Sequence, residues 1–482
     1  MGPPSTKVAA LGWWADTFRH DVARLSLIHG WLPTLTQLVA VLLVVGAVTA
    51  PATRRRARGL AVSVAAGVSL AVWAHWYIAS VGVAGDPAPW RLWVWIALTG
   101  LSCGAFVLGW RRSPWRRRIP ALLSMVGCAL SATLAINAWV GYFPSVHTAW
   151  NQLTAGPLPD ETDRLAVTAM QMTGARPTKG VVVPVTVSAD ASRFAHRREL
   201  VYLPPAWFAS NPPPRLPTVM MIGAQLNTPA DWLRAGNAVT TIDDFAAAHA
   251  GYAPVLVFVD PTGAFDNDTE CVNGSRGNAE DHLTKDVVPF MISNFGVSAD
   301  RANWGILGWS MGGTCAVNLV ARYPERFSAF VDVSGDLGPN AGTKAQTIDR
   351  LFGGNADAWA AFDPTTVIVR HGRYSGVSGW FEVAGDPGGV GSTTPKEAGN
   401  PEGQDLAARS LCMLGRVHGM RCVVVAQPGR HDWPFAANAF ASALPWLAGR
   451  LETPGVPRVP LPGLASDPSS AVAEGKVEAA GR

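Results

Sequence analysis

The chain has 482 residues, of which 48% are hydrophobic and only 15% charged, with a formal net charge of +4. That length exceeds one ordinary domain, and a mean hydropathy of +0.16 is too apolar for a wholly soluble enzyme of this size. The arginines cluster at Arg54, Arg55, Arg56 and Arg58 and again at Arg111, Arg112, Arg116, Arg117 and Arg118, each time between long apolar stretches, which argues against nucleic acid as a partner.

Residues 1–30 mix Trp13, Trp14, Phe18 and Leu25 with charges and lack the order of a secretory signal. An interfacial helix and a loosely ordered terminus both fit them. Four apolar stretches follow, at 31–50, 60–82, 92–110 and 120–140, and none holds Asp, Glu, Lys or Arg. Each approaches the ~18–20 residues that a helix needs to cross a bilayer. Buried helices of a soluble bundle would keep a polar face, so residues 31–140 read as four transmembrane helices. His75, inside the second, reads as a neutral imidazole bonded to a neighbouring helix rather than a proton path. The arginine clusters fall in the first and third connections, whereas the second carries only Asp86. The positive-inside rule places the arginine connections in the cytoplasm and everything after about residue 141 outside it.

Residues 141–179 read as a linker, 180–451 as a globular domain, and 452–482, rich in Pro, Ala, Gly and Ser, as a disordered tail. Within the domain, strands are expected at Val181–Val187, Glu199–Leu203, Thr218–Ile222, Pro254–Val259, Gly305–Trp309, Ala329–Val333, Trp380–Val383 and Arg421–Ala426. Helical patterns separate the later ones, and several strands are unbroken apolar runs. That pattern predicts an α/β fold, a mostly parallel sheet covered on both faces.

One stretch organises this domain. Trp304–Leu307 reads as a buried strand, Gly308-Trp309-Ser310-Met311-Gly312-Gly313 follows, and Thr314–Tyr323 has helical spacing. Strand, G-x-S-x-G and helix form the nucleophile elbow of α/β-hydrolases, in which glycines let two backbones pass and the strained serine projects above the sheet. A serine hydroxyl needs a base to take its proton. His431, in Gly429-Arg430-His431-Asp432-Trp433, follows the last strand and fits the order serine, acid, histidine. His282 and His371 are positional rivals that follow no late strand. For the acid, Asp386 stands just after the strand Trp380–Val383, with Glu402 and Asp405 as downstream rivals. Glu382 lies within that strand and points elsewhere, and Asp432 faces away. Backbone N–H groups of Met311 and Ala224 are the expected oxyanion donors, with Gln225 next in line. No metal or organic cofactor is implied.

Cys103 and Cys128 fall in apolar segments, and Cys271, Cys315, Cys412 and Cys422 fall in the domain placed outside. There disulfides persist. Cys412 with Cys422 spans a helix-to-strand turn, which would leave Cys271 for Cys315, although four cysteines allow three pairings.

The segments Gly308–Gly313, Tyr323-Pro324-Glu325-Arg326-Phe327 and Gly429–Trp433 resemble the "Putative esterase" branch of the α/β-hydrolases. That branch includes esterase D (S-formylglutathione hydrolase) and the secreted mycolyltransferases. Ala358-Trp359-Ala360-Ala361-Phe362-Asp363-Pro364 also looks like a mycolyltransferase segment. The resemblance covers about residues 180–450 and not the apolar helices. It implies ester hydrolysis or acyl transfer through an acyl-serine. The mycolyltransferases carry acidic and basic sugar-binding residues in the oxyanion loop, and Met221-Ile222-Gly223-Ala224-Gln225 has neither.

The expectation is therefore a membrane-embedded, four-helix anchor carrying an extracytoplasmic α/β-hydrolase with Ser310, His431 and Asp386 as its triad. The expected partner is an acyl-ester substrate, a lipid or a glycan. The alternatives are an acyltransferase acting on envelope lipids or glycans, a non-catalytic membrane binding protein, and a helical bundle that is itself the functional part.

Overall fold

The structure, a computed structural model, describes residues 25–48, 54–81, 88–109, 115–154, 158–385 and 403–463. The chain divides into two compact units at Pro157/Leu158.

The first unit holds α1 (Trp31–Val48), α2 (Arg54–Val81), α3 (Trp90–Gly109), α4 (Trp115–Val140) and the short α5 (Val146–Leu153). Three stretches are long and apolar enough to cross a membrane, Ala57–Ile78, Trp90–Leu108 and Arg118–Val140, while the apolar helix Trp31–Ala47 is shorter. Expected as four spans, the region shows three of full length among the described residues. Helices α2 and α4 begin upstream of their apolar runs, so Arg54–Arg58 and Arg116–Arg118 lie in helix rather than in connecting loops.

Helix α2 packs on α3, α3 on α4 and α4 on α1. Small residues let α2 and α3 approach closely: a Cβ at Gly67 would strike Ala97 O, and one at Gly104 would strike the Ser63 backbone. Such spacing on facing helices is the close-approach pattern of helices in lipid. The polarity of the bundle is inverted relative to a water-soluble one. Ser63, Ser102, Ser124 and Ser131 are buried, while Leu42, Val62, Trp73, Trp76, Val107 and Val126 face outward. His75 meets Trp93 of α3 edge to face, with ring centroids 5.0 Å apart.

The second unit is built on one eight-stranded sheet. Its strands are β1 (Val181–Val185), β2 (Glu199–Leu203), β3 (Thr218–Ile222), β4 (Val255–Val259), β5 (Trp304–Trp309), β6 (Ala329–Val333), β7 (Ser378–Ala384) and β8 (Arg421–Gln427). They lie in the order β1-β2-β4-β3-β5-β6-β7-β8. β1 pairs antiparallel with β2 and β2 antiparallel with β4, and β3 through β8 are parallel to one another. Nearly every residue of β2 to β7 is buried, as strands covered on both faces require. Its α-helices of eight or more residues, among the described residues, are α6 (Arg164–Thr173), α7 (Ala238–Ala248), α8 (Val288–Phe295), α9 (Met311–Arg322), α10 (Lys344–Phe352), α11 (Pro364–His371), α12 (Gln404–Val417) and α13 (Trp433–Arg450). α9 packs on β5 and β6, α12 on β7 and β8, and α13 against β5, β6, β7 and α7. One core cluster links Val183, Val201, Met220, Val257, Ile306, Val317, Phe330 and Phe381.

Two boundaries differ from expectation. The segment expected to be linker contains α6, capped by Asp163 and ended by left-handed Gly174, and its Val167 is buried in the core. Upstream of α6, Thr162 N donates to Val182 O and Val182 N to Asp160 O, tying residues 160–162 to β1. Only Val167 and Met170 of α6 face the core, too short a stripe to show as periodicity. At the other end, Thr453 and Leu461 are buried, so the first part of the expected tail is packed. Residues 1–24 and 464–482 lie outside the described residues.

Both disulfides join the pairs favoured from sequence. Cys271–Cys315 ties the loop after β4 to α9, and Cys412–Cys422 ties α12 to β8, each with Cα atoms 5.7 Å apart.

Candidate active site

The turn from β5 into α9 is tight because β5 delivers the chain against its own helix. A Cβ at Gly308 would strike Gly312 O, and one at Gly312 would strike Ile222 O of β3. Between them Ser310 takes φ 57°, ψ −120°, a backbone conformation rarely open to a residue with a side chain. Its N–H donates to Val333 O at 2.8 Å, and its carbonyl accepts from Gly313 and Thr314 N–H. Those bonds pin the strained residue to β6 and to the first turn of α9. The hydroxyl therefore stands at the parallel strands' C-terminal ends and the positive end of a helix.

His431 sits in the loop between β8 and α13. Asp432 beside it caps α13, accepting from Phe435 N at 3.0 Å. The residue before the serine joins the two halves of the site. The Trp309 ring lies 5.5 Å from His431 and 4.5 Å from Trp433, centroid to centroid, so nucleophile turn and histidine loop share one aromatic contact.

Asp386 and Glu402 lie outside the described residues. Asp405 is buried, 3.6 Å from Arg409 across one turn of α12. Glu382 is buried in β7, accepts from Trp380 Nε1–H at 2.8 Å, and is pushed up to about 8 by its burial. Among the described residues, Gln404 meets His431 Nδ1, with Nε2 at 3.0 Å and Oε1 at 3.2 Å.

Met311 is the first residue of α9, so its N–H has no intrahelical acceptor. The other expected donor differs. Ala224 N–H donates to Asn227 Oδ1 at 2.9 Å within its own loop, so an oxyanion would have to displace that amide. The loop itself is anchored. Arg197 Nη2 donates to Asn227 O at 2.8 Å and to Thr262 Oγ1 at 2.6 Å. The same guanidinium grips the fully buried Asp260, Nε to Oδ2 at 2.9 Å and Nη2 to Oδ1 at 2.6 Å. Burial alone would raise the Asp260 carboxyl, but the Arg197 bonds outweigh it and hold the group below its ordinary value.

His282, the positional rival, is fully buried elsewhere. Its Nε2 lies 2.8 Å from Glu199 Oε1 and its Nδ1 3.4 Å from Asp286 Oδ2. Burial lowers it, yet the two carboxylates win and leave it raised. His196, Glu199 and His282 bring donor atoms within 4.8 Å of one another. They are not arranged for a metal. The two rings stack at 4.1 Å and 23°, so an ion in the plane of one is out of the plane of the other. The His196 nitrogens already face Arg197 O and Val187 O. His371 stacks on Tyr374.

Gln404, Asn227, Arg197 and Asp260 were not singled out from sequence. No local pattern marks Gln404, Arg197 or Asp260, because each meets a partner 27 to 63 residues away, and the Asn227 side chain acts within its own loop, where no motif singles it out. Trp309 was visible within the G-x-S-x-G motif, although its contact with His431 was not.

Residues 195–447 match the "Putative esterase" family. An uncharacterized protein of Corynebacterium glutamicum is 30% identical over 372 residues, covering 76% of this chain and 83% of its own. Among solved structures, a ferulic acid esterase is 16% identical, covering 57% of this chain and 99% of its own, with a TM-score of 0.44. An S-formylglutathione hydrolase from Agrobacterium tumefaciens is also 16% identical, over 57% of this chain and 97% of its own, with a TM-score of 0.45.

Proposed function

Because the chain belongs to the "Putative esterase" family, we propose that it is a serine esterase that cleaves acyl esters through an acyl-serine. The observation that carries this is Ser310, held at φ 57° between β5 and α9 beside the Trp309–His431 contact. Ser310 Oγ attacks the ester carbonyl while His431 Nε2 takes its proton. Met311 N–H and an N–H of the Gly223–Asn227 loop, Ala224 or Gln225, stabilise the resulting oxyanion. Collapse breaks the bond to the alcohol, which leaves with the proton from His431. Water then attacks the acyl-serine, and the same histidine accepts its proton and returns one to Ser310. Asp386 is the carboxylate assigned, on sequence position alone, to offset the imidazolium charge. No step needs a cofactor.

The inverted polarity of the first unit supports a multi-pass membrane anchor, with lipid against Leu42, Val62 and Val107. The arginine clusters support cytoplasmic connections and an extracytoplasmic catalytic unit, and the two disulfides agree with an oxidising compartment. The substrate is then an acyl ester of the envelope, lipid or glycan. The oxyanion loop lacks the charged residues that mark sugar recognition in the mycolyltransferases.

One experiment addresses chemistry and side together. Intact cells carrying the full chain are treated with a membrane-impermeant fluorophosphonate. Labelling of wild type and not of Ser310→Ala is expected. Equal labelling of the variant would sink the nucleophile, and labelling only after lysis would sink the orientation. A labelled acyl ester given with candidate alcohols separates release to water from transfer.

A further inference from the structure

Three buried tryptophans tie the candidate site together. Trp232 stands in the short helix Asp231–Arg234 after the oxyanion loop, Trp309 precedes the nucleophile, and Trp433 opens α13 after the histidine loop. Trp232 meets Trp433 edge to face with ring centroids 5.3 Å apart, and Trp433 meets Trp309 at 4.5 Å. Trp309 meets His431 at 5.5 Å, its plane tilted by 36°, nearer to stacking than to edge-on. Gly236 leaves room for the row, since a Cβ there would strike both Trp232 and Trp433. The row of rings thus ends on the imidazole from the side of the nucleophile turn.

One detail separates Trp309 from ordinary core filling. A buried indole usually finds a partner for its N–H, and a buried donor without one costs stability. Trp309 Nε1 is buried and, among the described residues, meets no acceptor. Phenylalanine or leucine would fill the core here without that cost. What the indole has beyond them is the strongest π face for a cation. His431 becomes a cation when it takes the serine proton, and it lies within the ~6 Å at which such a face acts. The contact is between ring systems, so it leaves both imidazole nitrogens to their hydrogen-bond partners, a carboxylate at Nδ1 included.

We propose that Trp309 is a positioning residue of His431, its indole holding the imidazole against the nucleophile turn and stabilising the imidazolium formed when Ser310 is deprotonated. The catalytic consequence rests on the esterase reading, the ring contact on geometry alone. The charged and titratable groups on the elements around His431 are Arg430 and Asp432 in its loop, Glu382 in β7, Asp386 after β7, Glu402 before α12, and Asp405 and Arg409 in α12. All of them stay constant when Trp309 alone is varied, so differences between variants report the indole.

The test uses the full chain in detergent, with Trp309→Phe, which keeps a weaker ring, and Trp309→Met, which fills most of the space without one. Three readouts are taken: the pH profile of fluorophosphonate labelling, kcat and KM on a soluble ester, and the titration of His431 in the side-chain spectrum of 15N-labelled histidine, assigned by its loss in His431→Gln. A desolvated cation–π contact is worth ~10-fold or more in a rate. Trp309→Met should lower the labelling plateau and kcat by about that factor, with KM little changed. It should also move the acid limb and the His431 titration ~1 unit lower, because the imidazolium loses support. Trp309→Phe should recover part of each loss. A methionine variant whose limb and titration stay in place overturns the proposal, as does a phenylalanine variant no better than methionine. If the methionine variant loses its cooperative melt, the phenylalanine variant decides: its His431 titration must still fall below that of wild type, and an unmoved one overturns the proposal. If the wild type never labels but the titration follows the series, the esterase reading fails while the contact stands.

Discussion

Replacing Arg197 by methionine removes the clamp on the oxyanion loop and should damage stability and turnover separately. The guanidinium makes four hydrogen bonds, two to Asp260, one to Asn227 O and one to Thr262 Oγ1. Asp260 has no exposed side-chain surface, whereas Arg197 keeps 26%. Methionine fills most of the volume but leaves a buried carboxylate with its cation gone. Breaking such a pair costs about 3–5 kcal/mol, and partial exposure of Arg197 favours the low end. For a domain of this size that is a melting temperature lower by roughly 6–12 °C. The pH dependence follows with its sign. Asp260 is depressed when folded, so its stabilisation is present above the ordinary carboxyl value and is lost as pH falls through the folded value. The variant should lose that acid-side slope. Catalysis should suffer because Asn227 O is released and the loop carrying Ala224 can drift. Complete removal of one oxyanion donor costs about 10²–10³ in kcat, so a loosened donor should cost ~10-fold with KM little changed. The assay is a thermal melt from pH 3 to 8 with kcat and KM on a soluble ester. Arg197→Met/Asp260→Asn should regain much of the melting temperature, since no buried charge remains, but not the turnover. A single variant that melts like wild type, or a double variant with normal kcat, would refute the reasoning.

Two further outcomes are expected. His282 is raised above its ordinary value by Glu199 and Asp286 against the pull of burial. Its stabilisation is therefore full below about 6.5 and disappears as pH rises through the folded value. The melting temperature should fall as pH rises above the ordinary histidine value, and His282→Gln should flatten that slope; an unchanged slope counts against the assignment. The Cys271–Cys315 bridge spans 44 positions and the Cys412–Cys422 bridge 10. Loop entropy gives about 4 and about 3 kcal/mol respectively. Paired serine substitutions should thus lower the melting temperature more at the first bridge, and the reverse order would show that strain or residual structure dominates.

The parallel sheet and the elbow are legible in the sequence because each is signalled locally, whereas the pairing of the four cysteines stays open among three connectivities. Unbroken apolar runs mark strands covered on both faces, and Gly308 and Gly312 mark a turn that only glycines allow. The apolar stretches were equally legible, because a helix without a polar face has few alternatives to lipid. What the sequence could not reveal depends on residues that meet only after the sheet has assembled. Helix α6 reads as linker in the sequence because it offers the core little beyond Val167. The Arg197–Asp260 clamp joins positions 63 apart, and the Gln404–His431 contact joins positions 27 apart. Position in the chain could nominate Asp386 for the acid but could not show what touches His431 Nδ1. Chain order determined which elements would form and where a nucleophile would stand. Tertiary packing decided which side chain meets which, because a hydrogen bond is set by a few ångströms in space and carries no trace in the spacing of residues along the chain.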